Sequence, residues 1–312
     1  MYTHGNFSWN MVYQTSYDCK NLTTRERDIT SVAQSISGNI DLGSTQELAL
    51  QWLVNNDTIT NTCNGPNAIQ QRYSLAVFYY STIGSNWTND TFWLGPQYEC
   101  TWYGVECTNG LVTSLFMGKS FDIAYSDSFY DESSIECITS FNFYAAIHLD
   151  ENNLQGTLPT EIAALSYLSG LHVYHNSIGG QLPTELGTLT GLNFVDLEVN
   201  HFEGNLFFEQ LLNVNRTLQY LRGSDNQFIG SIPSWIGVFT RLHEFWAADN
   251  HLSGTIPSEI GRLTNLGRYF TVRNFKHSSS TSHFILLWSY RILVHLRQRP
   301  QWNYTVDYRI TL

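Results

Sequence analysis

His148, His172 and His175, with Asp150 and Glu151 among them, are of the residue types that hold transition metals, and Asp150 with Glu198 has the makings of a general acid and base. Neither chemistry is the one this pattern favours. Residues recurring on neighbouring strands are close by construction, and exposed acids are usually just solvated. An open surface also has no pocket to exclude water or move a carboxylate pKa. The chain contains no Gly-x-Ser-x-Gly, no phosphate-binding Gly-rich loop, no kinase phrase and no zinc-type Cys/His spacing. No catalytic residue, metal site or cofactor is therefore assigned. What the residues do suit is recognition. His148, Asp150, His172, Tyr174, His175, Asp196, Glu198, Tyr220, Arg222, Asp225, Trp246 and Asp249 make an acidic, His-bearing mosaic that turns aromatic toward its C-terminal side. Aromatics beside polar groups are what binding hot spots use, and the acids favour a cationic partner.

The elements that must position these residues are repeats. Asn152, Asn176, Asn200, Asn226 and Asn250 follow one another at spacings of 24, 24, 26 and 24 residues. Around each runs the same phrase, as in Leu171-His-Val-Tyr-His-Asn176-Ser-Ile178-Gly-Gly180-Gln-Leu182-Pro183. The first begins at Ile147-His-Leu149, and Leu168, Leu192, Leu218 and Leu242 each precede a strand by three residues. The apolar alternation predicts a short half-buried strand, stacked in parallel on its neighbours so that the apolar positions form one core. Where each strand turns inward its backbone loses ladder partners, and a buried Asn amide can bridge them from coil to coil. The Gly column permits positive φ, and Pro159, Pro183, Pro233 and Pro257 sit where no strand needs an N–H. The rest of each coil, such as Thr184-Glu-Leu-Gly-Thr-Leu189, is too short for a helix and reads as a 3₁₀-type turn. Two departures stand out. The coil at Leu206-Phe207 lacks its Pro and carries two extra residues, which predicts a convex bulge, and Gly223 replaces a core residue.

This pattern resembles the plant-type leucine-rich repeat, L-x-x-L-x-L-x-x-N-x-L-x-G-x-I-P, over roughly Ala145 to Val272. The resemblance implies an α/β solenoid with a parallel β-sheet on its concave face and 3₁₀ turns on its convex face. Upstream, Ser44 and Glu47 have capping-box spacing before a helix over about Thr45–Asn55, and Pro66 opens a second helix running to Tyr80. Trp102-Tyr-Gly-Val105 lies within Cys100-x₆-Cys107, and Val112-Thr-Ser-Leu115-Phe-Met117 is a first repeat-like phrase. Together they look like the helical N-terminal cap of such proteins, which implies a Cys100–Cys107 disulfide. A cap is physically required, because the first coil would otherwise expose an apolar cross-section. Cys19, Cys63 and Cys137 remain; Cys63 with Cys137 is one pairing, and five reduced thiols in a cytosolic protein is the alternative.

The expected organisation is a polar stalk or disordered stretch over 1–43, the cap over 44–117, and an irregular acidic and aromatic insertion over 118–144. Repeats follow over 145–274, five complete and a sixth begun at Asn274, and then a non-repeat tail over 275–312. The tail is a different kind of sequence: residues 262–312 hold 8 Lys/Arg and 1 Asp/Glu, in a chain of net charge −11. It reads as unrelated sequence, such as a retained intron or shifted frame, or alternatively as a short strand or helix sealing the last coil.

Charged residues make up only 14% of the chain while Asn, Ser and Thr fill 84 of 312 positions, an uncharged polar surface that suits secretion. The negative charge argues against nucleic acid or an anionic membrane as partner, since both need a positive field. No apolar run reaches the roughly 20 residues of a membrane helix. Met1 opens a polar stretch without a secretory signal, so either the chain is intracellular or its true start lies upstream. Glycosylation sequons include Asn56, Asn86, Asn89 and Asn215, of which Asn86 and Asn89 are too close for both to carry glycans. The favoured function is a non-enzymatic extracellular recognition module for a peptide, protein or glycan, like a receptor-like ectodomain, with any membrane attachment through a segment absent from this chain. An inhibitor or regulator of a secreted hydrolase is one alternative, and an intracellular repeat scaffold, cytoplasmic in location, is another.

Overall fold

The computed structural model describes residues 22–59, 66–117, 152–266, 270–272 and 285–286. Three helices come first: α1 (Leu22–Ser37), α2 (Thr45–Asn55) and α3 (Pro66–Ser81). The Glu47 amide donates to Ser44 Oγ at 3.1 Å, capping α2, and Ala49, Trp52 and Leu53 point inward from it. The polar stalk predicted over 1–43 fails for the part that α1 occupies. Ile29 and Ala33 of that helix are fully buried. Arg25 also donates to the carbonyls of Leu53, Val54 and Asp57 at 2.9, 2.6 and 2.7 Å, tying α1 across the end of α2. A few buried apolar residues and one well-placed cation suffice to dock a helix whose composition is mostly polar. Inside this cap the Arg72 guanidinium lies between the rings of Trp52 and Trp102 and is paired with Asp57 at 2.8 Å and Glu99 at 3.2 Å. Such a cation is tolerated in a core because carboxylates and carbonyls satisfy it on every side.

Strands β1 (Val105–Thr108) and β2 (Leu111–Phe116) form an antiparallel hairpin beside the Cys100–Cys107 disulfide. A parallel ladder then grows from β2 through β4 (Gly170–His172), β6 (Phe194–Asp196), β8 (Tyr220–Arg222), β10 (Glu244–Trp246) and β11 (Phe270–Val272). A smaller parallel sheet, β3 (Gln155–Thr157), β5 (Ser177–Gln181), β7 (His201–Asn205) and β9 (Gln227–Ile229), takes the second strand of each coil. The 3₁₀ turns follow at Thr160–Ala164, Thr184–Thr188, Glu209–Val214, Ser234–Val238 and Ser258–Arg262. The third is one residue longer than the others, where Leu206-Phe207 breaks the pattern. At Gly223 the missing side chain is replaced by Phe228 and Leu206, whose carbons would meet an added Cβ at 3.3 and 3.4 Å.

The Asn column bridges neighbouring coils. Asn200 Nδ2 donates to the carbonyls of Val173, Leu197 and Glu198, and its Oδ1 accepts from the Ile178 amide at 3.0 Å. Asn226 and Asn250 repeat these contacts one and two coils further on. The Gly column, from Gly156 to Gly254, takes φ between +74° and +90°.

The first coil differs from its prediction. Both edges of β4 are occupied, by β2 with Leu115 opposite Leu171 and by β6 with Val195 opposite Leu171. The place beside β4 that the sequence assigns to Ile147–Leu149 is held by β2, and residues 147–149 lie outside the described set. Asn176 confirms the assignment by donating to the Met117 carbonyl, the place Val173 fills for Asn200. One coil is thus built from two separated pieces, 111–117 and 152–165.

Cap and coils are joined by a buried acid. Glu161, 3% exposed, accepts from Ser37 Oγ at 2.7 Å and from Gln46 Nε2 at 3.0 Å, and Ser37 also meets the Tyr73 hydroxyl at 2.8 Å. At the far end β12 (Ile285–Leu286) adds an antiparallel strand to β11, at a place where a sealing strand is one reading of the tail. Cys19, Cys63 and Cys137 lie outside the described residues.

Candidate functional site

Leu171, Val195, Leu221 and Phe245, the central residues of β4, β6, β8 and β10, turn into the core. Strand alternation then sends the flanking residues to the open face of the large sheet. In register there stand Phe116, His172, Asp196, Arg222 and Trp246, and beside them Gly170, Phe194, Tyr220 and Glu244.

Two structures share this face. The first is a stack of rings. Phe116 lies 4.1 Å from His172, His172 4.3 Å from Phe194, Phe194 4.8 Å from Tyr220, and Tyr220 5.9 Å from His243, all within 26° of parallel. The stack crosses from one row to the other at Gly170, where a Cβ would stand only 3.1 Å from His172 Nε2. Absence of a side chain there is what lets histidine and phenylalanine meet.

The second is a charged cluster centred on Arg222. Its guanidinium donates to Glu244 at 2.6 Å and to Asp196 at 3.3 Å, and packs 4.5 Å from the Trp246 ring centroid and 5.1 Å from that of Phe194. Asp196 and Glu198 are themselves buried. Burial pushes the Asp196 carboxyl up to about 6 against the opposing pull of Arg222. Burial, reinforced by the Asp196 charge, raises Glu198 further, to about 8. Burial among the rings, with Arg222 nearby, lowers His172 to about 3. These are desolvation effects, each favouring the neutral form.

The predicted mosaic is therefore partly redrawn. His172, Asp196, Arg222 and Trp246 are brought together in one row, with Tyr220 in the next. Tyr174 and His175 form a ring pair at 5.2 Å at the end of β4, Asp225 is exposed, and Asp249 is half-buried. His148 and Asp150 lie outside the described residues, and the position beside His172 belongs to Phe116. Asp196 and Glu198 are not the solvated acids the sequence suggests: they line a cluster that Arg222 partly neutralises. Sequence reasoning left Phe116 and His243 out of this face; the Leu115-Phe-Met117 phrase carried the signal for the first. Among the described residues no three His, Cys, Asp or Glu side chains are grouped to hold a metal.

Of the sequons, Asn56 and Asn86 are exposed. The Asn89 side-chain oxygen accepts from both the amide and the hydroxyl of Thr91, and Asn215 Nδ2 donates to the Leu212 carbonyl at 2.7 Å. Among the described residues no helix is long and apolar enough to cross a membrane.

No family model matches the chain, and no curated protein matches it. Among solved structures, a TDR receptor is similar at 38% identity over 38% of this chain and 20% of that one, with a TM-score of 0.36. The BIR3–SERK2 complex from Arabidopsis thaliana is similar at 24% identity over 60% of this chain and 87% of that one, with a TM-score of 0.43. The plant peptide hormone receptor RGFR1 in complex with RGF2 is similar at 28% identity over 38% of this chain and 22% of that one, with a TM-score of 0.32. The chain thus spans about a fifth of the length of the first of these. The Asn column, the positive-φ Gly column and the coil of strand, second strand and 3₁₀ turn make the fold a leucine-rich-repeat one.

Proposed function

We propose that this chain is a non-enzymatic recognition module that binds a peptide or protein along the open face of the large sheet. The observation that carries the reading is the ring stack from Phe116 to His243, which lies beside the Arg222 cluster on the outward side of the ladder. Half-buried rings flanked by polar groups are the composition of an interaction hot spot. The stacking also bears on the class of ligand. Sugars dock on aromatic faces, and here each face is largely covered by its neighbour, so the strip presents ring edges. Edges carry partial positive charge and suit carbonyl oxygens and the faces of a partner's aromatic side chains, which favours polypeptide over glycan.

The Cys100–Cys107 disulfide and the exposed sequons at Asn56 and Asn86 support an extracellular or cell-surface setting for this binding. Inhibition of a secreted hydrolase through the same face is the second reading, supported by the acids that flank the stack. A combined Tyr174→Ala, Tyr220→Ala and Trp246→Ala variant tests the site. Binding of labelled chain to whole cells and to secreted hydrolases is expected to fall at least tenfold while the far-ultraviolet dichroism is kept. Wild-type binding by that variant moves the site elsewhere.

A further inference from the structure

The Arg222 cluster is unbalanced in charge. Three carboxylates, Asp196, Glu198 and Glu244, gather around one guanidinium. His172, in the same row as Asp196 and Arg222, sits between Phe116 and Phe194 and is held neutral there, so it supplies no second cation. Two acids touch the guanidinium directly: Glu244, at 2.6 Å, and Asp196, at 3.3 Å. Asp196 also accepts from the Glu198 amide at 3.2 Å. Glu198 is the third acid and has a hydroxyl, that of Ser224, rather than a cation as its side-chain partner. It is 8% exposed. From the strand beside it the His175 amide donates to the Glu198 carbonyl at 2.9 Å. On the β8 side the exposed Asp225 adds a further negative charge, with Asp249 beyond it.

We propose that Glu198 holds a proton at neutral pH and acts as a pH switch on the open face, whose charge becomes one unit more negative when that proton leaves for solvent in mild alkali. Geometry selects the residue, since among the described residues Glu198 is a buried carboxyl that makes no ion pair, next to Asp196 and Glu244 that do, and that is where a shared deficit of positive charge is made up by a proton. The proton itself does not depend on the face being a binding surface; its regulatory use rests on that reading. A partner placing a cation against Glu198 would expel the proton and bind more tightly as pH rises, by up to about tenfold per pH unit below the midpoint.

The test needs no partner, so its outcome is separable from that of the binding reading. Carboxyl-carbon NMR of the full chain labelled at glutamate Cδ is followed from pH 4 to 10. One resonance is expected to titrate near pH 8 and to vanish in Glu198→Gln. In case that variant does not fold, Asp225→Asn, at an exposed position, is expected to move the same resonance to lower pH by a few tenths of a unit. The proposal is overturned if all glutamates titrate below about pH 6. It is equally overturned if the high resonance persists unchanged in Glu198→Gln, or if it ignores Asp225→Asn where Glu198→Gln does not fold.

Discussion

Leu115 lies directly opposite Leu171 in the parallel ladder, one coil away in space and more than two coils away in sequence. Met117 and Asn152 thus belong to the same coil, in the relation that Val173 has to Asn176. Two residues separate the latter pair, and Asp150 and Glu151 can serve as those two. Deletion of Gly118–Leu149, joining Met117 to Asp150, is expected to leave a folded chain whose Tm lies within a few degrees of the parent. A chain that fails to fold after this deletion would show that the intervening residues supply part of the core.

Asn200 offers the sharpest test of the ladder. Its amide satisfies three carbonyls and one N–H in the interior. Asn200→Ala strands those groups, and each unsatisfied buried group costs about 1–3 kcal/mol. Denaturant unfolding should register a loss of at least about 2 kcal/mol. Asn200→Asp should also destabilise, because it keeps the acceptor for Ile178 and loses the donors.

Val199 precedes Asn200 and holds φ at +53°, a left-handed conformation that a β-branched side chain resists. His175, Asp225 and Asp249 take the same conformation in neighbouring coils, two of them being residues that tolerate it better. Val199→Asn is expected to raise stability by about 0.5–1 kcal/mol, read as a higher Tm. A lower Tm would mean that contacts of the valine methyls outweigh the strain.

The titration of Glu198 has a stability counterpart. Its carboxyl is raised from 4.5 to about 8 in the folded chain, so between these values the folded state holds a proton that the unfolded state has lost. Stability from this group is present in full below about pH 4.5 and drains away as pH rises through 8. Asp196, raised from 3.8 to about 6, contributes with the same sign over its own lower window. Unfolding by urea at pH 5, 7 and 9 should show falling stability in the parent and a shallower fall in Glu198→Gln. A parallel fall in both would place the alkaline loss on other groups.

The repeat was legible because its chemistry is periodic: an amide at every turn-in and a glycine at every left-handed bend recur whatever surrounds them. What stayed hidden depended on contacts between distant pieces. Thr160-Glu161-Ile162 and Thr184-Glu185-Leu186 are nearly the same phrase, yet Glu185 is exposed and Glu161 is buried, because Ser37 and Gln46 come down on only one of them. Helix α1 is hidden for a related reason, its docking being settled by Arg25 and a few apolar residues within a polar segment. On the open face the residue types on β4, β6, β8 and β10 were readable. Their charge states were not, since these follow from burial and from how many acids share Arg222.

The contacts of Glu161 give the stack of coils a direction. Ser37, Gln46 and, through Ser37, Tyr73 bind the first 3₁₀ turn to all three helices, so the N-terminal end loosens only if the helices come away with it. Among the described residues each later coil rests chiefly on its neighbours, as in a one-dimensional lattice whose sites are coupled in sequence. A mechanical pull, or slow amide exchange, would accordingly peel this molecule from the side of β10 and β11 toward the cap, with the rings of Phe116 and His172 the last part of the ring stack to part.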